Sequence, residues 1–113
     1  MITEQDNTTR IRELNDAFRQ GLGGNGRRLM TAGVAALPIR DQIAITTKVM
    51  QFDAFNEGND PHGEHDFGAF DHDGQKIFWK IDYYDAACEY GSEDPADPAK
   101  TTRVLTIMLA SEY

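Results

Sequence analysis

The sequence predicts an α+β domain with helices packed on a small antiparallel sheet, and three observations lead there. An amphipathic stretch opens the chain. Two β-rich runs flank "DHDG" in its middle. Apolar residues recur at helical spacing near its C-terminus. The length of 113 residues suits a single domain, residues 1–113, with one modest core. Hydrophobic residues make up 40% of the chain and aromatics 10%, which argues against intrinsic disorder. The expected order is α-β-α-β-β-α.

"TEQDNTTRIRELNDAFRQGLGG" reads as the first helix, because Ile11, Leu14 and Phe18 share one face at i, i+3 and i+7. The glycines from Gly21 to Gly26 stop it. This glycine-rich stretch is not a phosphate loop. It follows a helix rather than a strand, and no lysine followed by Ser or Thr closes it. "RRLMTAGV" reads as a short strand ending in a glycine turn. "LPIRDQIAITTKVMQFDAF" reads as a second helix, with Pro38 in its first turn. Ile39, Ile43, Met50 and Ala54 line one side of it, and Ile45, Val49 and Phe52 line a neighbouring side. That much apolar surface predicts a central helix.

"NEGNDPHGEH" is a loop rich in turn residues. "HDFGAF" and "QKIFWKIDYY" then form a hairpin around a three-residue loop, His72-Asp73-Gly74. That register sets Phe67 opposite Trp79, Ala69 opposite Ile77, and Asp66 opposite Lys80. Apolar residues then gather on one face. A two-residue Asp-Gly turn ranks lower, since it puts Lys80 beside Phe67. After a second loop, "YGSEDPADPAK", Asp97 and Pro98 resemble the cap and first residue of a helix. "TTRVLTIMLASEY" would continue that helix through the i, i+4 pairs Val104–Met108 and Leu105–Leu109; a strand is the alternative.

The net charge is −8, and it is unevenly placed. Residues 53–97 carry thirteen acids and two bases, a net −11, between flanks of +2 and +1. Such a field repels nucleic-acid phosphates and attracts basic protein surfaces. Direct nucleic-acid binding is therefore disfavoured. No apolar run approaches the ~20 residues that cross a bilayer, and the N-terminus lacks the pattern of a signal peptide. The lone Cys88 can form no internal disulfide. A reducing cytoplasm is the expected location, and Cys88 reads as a small packed residue.

Three kinds of site are open to this chain. A metal site would draw on His62, Glu64, His65 and Asp66, whose imidazoles and carboxylates suit a transition metal. Their spacing matches no regular ligand pattern, so no cofactor is expected. A metal-dependent hydrolase or nuclease would use the Glu64–Asp85 region, with Lys80 among the carboxylates. The usual acid-x-lysine order is reversed in "KID". A binding face needs no catalytic geometry. "DYYDAACEYGSEDPADP" supplies the tyrosines and carboxylates that engage arginine-rich surfaces: Asp82, Tyr84, Asp85, Glu89, Tyr90, Glu93 and Asp94.

The blocks "NDPHGEHDFGAF", "IFWKIDYYD" and "GSEDPADPAKTTRVLTIMLASEY" resemble those of a bacterial domain of unknown function, number 3768. "TTRIRELNDAFR" and "TAGVAALP" are similar to the same family's opening blocks. The resemblance implies no catalytic roles, since the family has no established activity. It implies small bacterial proteins frequently carried on plasmids and other mobile elements, a context that suggests counter-defence. The leading expectation is a non-enzymatic acidic binding protein. It would inhibit or regulate a basic protein or ribonucleoprotein that handles nucleic acid, such as a CRISPR or restriction complex. The alternatives are the metal-dependent hydrolase and a regulatory homodimer.

Overall fold

The amphipathic stretch at the start of the chain forms helix α1, Glu4–Arg19, in a computed structural model that describes residues 4–113. Ile11 and Phe18 on its apolar stripe are buried, as expected. Gly21, Gly23 and Gly24 all have positive φ and turn the chain out of the helix. Strand β1 follows over Gly26–Met30. The expected strand ends there: Ala32–Ala35 form a short helix, α2, and Val34 within it is fully buried. Helix α3 spans Ile39–Met50, with Pro38 as its N-cap residue.

The middle of the chain folds into the expected hairpin, β2 over Phe67–His72 and β3 over Gln75–Tyr84. Its register differs by one residue from the expected one. Phe67 pairs with Lys80, Ala69 with Phe78 and His72 with Gln75. The loop is the two-residue Asp73-Gly74 turn, with φ of 50° and 79°. Two successive positive φ values give the turn twist that matches antiparallel strands, and Asp-Gly supplies them at little cost. The register also sets Gly68 opposite Trp79. A Cβ on Gly68 would lie 2.3 Å from Trp79 Nε1, so the glycine makes the room that the indole fills.

The C-terminal segment is a strand rather than a helix: β4 spans Thr102–Leu109, followed by a 3-10 turn at Ala110–Glu112. The pairs Val104–Met108 and Leu105–Leu109 share a face in either geometry, because a spacing of four fits both periods. The β-branched Thr102, Val104, Thr106 and Ile107 tip the balance toward extended backbone. Asp97 does accept from a backbone N–H, that of Ala99 at 2.9 Å, but the turn it makes stops at Lys100.

The result is an α+β fold with a four-stranded mixed sheet in the order β1-β4-β3-β2. The hairpin and β4 are antiparallel, and β1 joins parallel to β4 at one edge. Ile77, Trp79 and Ile81 of β3 join Leu105 and Ile107 of β4 on the inner face, where Phe18, Ile45 and Val49 cover them. Each such fully buried side chain contributes roughly 1.5–3 kcal/mol. Trp79 is buried as its composition suggests, but against Phe52 and Phe55 rather than Phe67. Phe67 points to the outer face, where it meets Phe78 and Tyr113 edge-on. Helix α3 is less central than its composition predicts. Ile45 and Val49 are fully buried, while Ile39 and Ile43 are 70% and 61% exposed.

Candidate partner-binding site

The acidic residues after β3 are held in a loop with its own internal order. The chain leaves the sheet at Tyr84, and Tyr84 and Gly91 form a single bridge across the loop's base. The Asp85 N–H donates to the Tyr90 carbonyl at 2.7 Å, and the Asp85 carboxylate accepts from the Glu89 N–H at 3.0 Å. The Asp94 carboxylate accepts from the Ala96 N–H at 3.2 Å. Short aspartate-closed turns of this kind pre-set the backbone. Two hydroxyls clamp the far side. Thr101, 2% exposed, donates to the Asp94 carbonyl at 2.8 Å, so the Ser92 hydroxyl at 2.7 Å donates to Thr101 in turn.

A buried polar cluster braces the loop from below. Arg103 on β4 donates from Nη2 to the Pro95 carbonyl and from Nε to Asn15 Oδ1, each at 2.6 Å. Asn15, wholly buried in α1, donates to the Glu64 carbonyl at 2.9 Å and to the Tyr83 hydroxyl at 2.8 Å. Tyr83 donates to Glu64 Oε1 at 2.7 Å. Burial, then the Glu64 hydrogen bond, pushes the Tyr83 phenol far above its ordinary value. Burial lowers Arg103 from its own. The cluster therefore ties α1, β3, β4 and the loop together with every central partner satisfied, which is what a buried polar network needs in order to stabilise.

The seven residues expected to bind a partner fall into two adjoining groups. Asp85, Tyr90 and Glu93 line one concave surface of about 510 Å³, together with Gly91, Ala99 and Lys100. Tyr90 is 73% exposed, and Glu89 and Glu93 are exposed as well. Asp82 and Tyr84 lie instead on the outer face of the sheet, beside a second cavity of about 460 Å³ that also takes in Glu112 and Tyr113. Asp82 sits 2.9 Å from Lys80 Nζ, and its hydrogen bond holds that ammonium above its usual value. Asp94 is half-buried and works within the loop. Asp85 has both roles. Sequence reasoning missed Lys100, a base within the acidic concavity. It also missed the brace of Asn15 and Arg103, because a polar residue on an apolar stripe gives no sign of what it will meet.

The residues weighed as metal ligands go separate ways. Glu64 accepts from Tyr83. His65, at φ 55°, stacks on Phe55 with ring centroids 3.7 Å apart, and its Nδ1 lies 2.9 Å from Asp16 Oδ1. His62 is exposed, and burial, then the charge of Glu64, raises Asp66 above the ordinary carboxylate range. Among the described residues, the donor atoms that gather within 4.8 Å of one another belong to Asp41, His72 and Asp73. There Lys48 Nζ is 3.1 Å from His72 Nδ1, and His72 Nε2 is 3.0 Å from Asp41 Oδ1. An ammonium can only donate, so the ring proton lies on Nε2 and Asp41 accepts it. The arrangement is a closed hydrogen-bonded chain from β2 to α3.

Fold and site together define a small α+β domain that presents a braced acidic loop. A family model described as protein of unknown function DUF3768 matches residues 30–112, and the chain belongs to that family. No curated protein and no solved structure matches it. No described helix is long and apolar enough to cross a membrane.

Proposed function

We propose that this chain is a non-enzymatic binding protein. Its acidic loop contacts a basic protein or ribonucleoprotein that handles nucleic acid, and so inhibits or regulates it. The observation that carries this reading is the concave surface where exposed Tyr90 and Glu93 stand with Asp85 on a loop clamped from beneath. An aromatic anchor among carboxylates, pre-ordered before binding, is the chemistry that captures arginine-rich surfaces at low entropic cost. Counter-defence against a CRISPR or restriction complex is the most concrete setting. A metal-dependent hydrolase around Glu64–Asp85 has less to support it, because Glu64 and Asp82 are already engaged by Tyr83 and Lys80.

The test is a protection assay in bacteria carrying an active CRISPR or restriction system. Wild-type chain is expected to restore plasmid or phage entry against at least one such system. The combined Glu89→Lys, Tyr90→Ala and Glu93→Lys variant is expected to lose that protection while remaining folded. Equal protection by both proteins, or none from the wild type against either kind of system, would overturn the reading.

A further inference from the structure

The edge of the sheet formed by β1 is the other unusual surface of this molecule. All five residues of β1 are exposed, and β1 is one of the two edge strands of the sheet. The parallel ladder uses alternate residues: Arg103 N–H donates to the Asn25 carbonyl, and Thr31 N–H donates to the Ile107 carbonyl. In such a ladder the N–H and C=O of Arg28 and Met30 point away from β4, toward the free edge. A row of open backbone donors and acceptors is a template for another strand.

The side of that edge facing α3 is hollow and apolar. Cavities of about 540, 80 and 250 Å³ follow one another along it. Arg28 and Thr46 are shared by the first two, and Met30 and Thr46 by the last two. Together they make a groove between β1 and α3. Among the described residues, every exposed large aliphatic side chain belongs to β1, to α3 or to the glycine turn between α1 and β1: Leu22, Leu29, Met30, Ile39 and Ile43. The other three exposed large hydrophobic residues are tyrosines elsewhere.

The charge of this region is opposite to that of the rest of the chain. Residues 20–50 contain Arg27, Arg28, Arg40 and Lys48 but only Asp41 as an acid. Two copies joined through β1 would bring Arg27 beside its own counterpart, on molecules that each carry −8, whereas the Arg28 guanidinium is turned back to donate to the Phe18 and Arg19 carbonyls. The edge is thus protected against itself and open to the opposite sign. We propose that β1 accepts an extended acidic segment of another protein as a fifth strand. Backbone bonds would form to Arg28 and Met30, with apolar side chains in the β1–α3 groove and carboxylates on the opposite face against Arg27, whose ladder partner Val104 lines the outer cavity. This inference does not depend on the role of the acidic loop.

The experiment is an amide-resolved NMR titration of the full chain with a short peptide alternating glutamate and valine, and with its lysine–valine counterpart. The glutamate peptide is expected to shift and protect the Arg28 and Met30 amides, and the lysine peptide to leave them unchanged. Met30→Pro removes one outward N–H without touching the bonds to β4. Ile43→Glu charges the groove at an exposed position that the fold tolerates. Each should weaken glutamate-peptide binding by about tenfold or more. No shift with the glutamate peptide, equal binding of the lysine peptide, or shifts mapping away from β1 would each overturn the proposal. So would sedimentation showing that wild type is a dimer and Ile43→Glu a monomer, since a second copy would then hold the edge.

Discussion

Gly68 shows how a single missing side chain fixes the hairpin. It stands opposite Trp79 on the inner face, and an added Cβ would meet Nε1, Cε2 and Cζ2 of the indole at 2.3–2.8 Å. The indole cannot retreat, because Phe52, Phe55 and the Arg19 guanidinium close around it. Gly68→Ala should therefore cost about 1–3 kcal/mol by overpacking. Urea unfolding checks this, and the penalty should shrink in a Trp79→Leu background, where the clash is relieved. Asp66 is a different residue-scale case. Burial, then the neighbouring Glu64, raises its folded pKa above the unfolded value. The folded state thus holds the proton more tightly than the unfolded chain. Any cost is absent below the ordinary carboxylate range, near pH 4, and grows as pH rises through the raised value. Asp66→Asn should accordingly raise the melting temperature at neutral pH and leave it nearly unchanged at pH 3. A stabilisation of equal size at both pH values would mean that ionisation of Asp66 is not the cause. Asp41 and Glu112 run the opposite way. Hydrogen bonds from His72 and from Thr31 lower their pKa values, so their contribution is lost as pH falls.

At the scale of elements, the acidic loop and β4 act as one unit. Thr101 is the hinge point, buried where the loop enters the strand and bonded to both Ser92 and the Asp94 carbonyl. Thr101→Val keeps the shape and removes the hydroxyl. It should cost about 1 kcal/mol, and hydrogen exchange should quicken in residues 92–97 while β3 stays protected. Unchanged exchange there would show that Arg103 alone holds the loop. What the sequence displayed at this scale follows from periodicity. Helix α1 was legible because Ile11, Leu14 and Phe18 match only one repeat, and the hairpin because two β-rich runs bracket Asp-Gly. The sequence of β4 reads as a helix because its two apolar pairs lie four apart, a spacing that helix and strand share. The pattern places the hairpin register one residue off because both faces of β3 carry aromatics, so pattern alone does not choose between them. The twist of the Asp73-Gly74 turn and the space at Gly68 decide it. For the candidate site, charge density singles out the loop after β3, and Tyr90, Glu89 and Glu93 are exposed there. The structural duties of Asp85 and Asp94 were hidden, since an aspartate that closes a turn looks in sequence like one that faces solvent.

The molecule as a whole is electrostatically divided, with net −11 on residues 53–97 and a basic excess on residues 20–50. A divided field of this kind acts mainly on encounter rates, because it orients a charged partner before contact. An arginine-rich peptide is a suitable probe for the acidic part. Its association rate with the wild-type chain should fall by about tenfold or more as ionic strength rises past the range where the Debye length is ~8 Å. Dissociation should change less. The loop's share of that effect is separable from the share of the net charge. Glu89→Lys with Glu93→Lys moves the net charge from −8 to −4, since each reversal adds two units. Glu13→Lys with Glu57→Lys makes the same change at exposed positions on α1 and in the loop before β2. Neither pair includes Asp85, whose carboxylate closes the loop turn and whose loss would confound binding with folding. If the loop is the docking surface, the first pair should slow association severalfold more than the second and flatten its salt dependence. If both pairs slow it alike, the peptide responds only to total charge. The acidic loop is then a solvated surface, and the partner must be sought at the β1 edge.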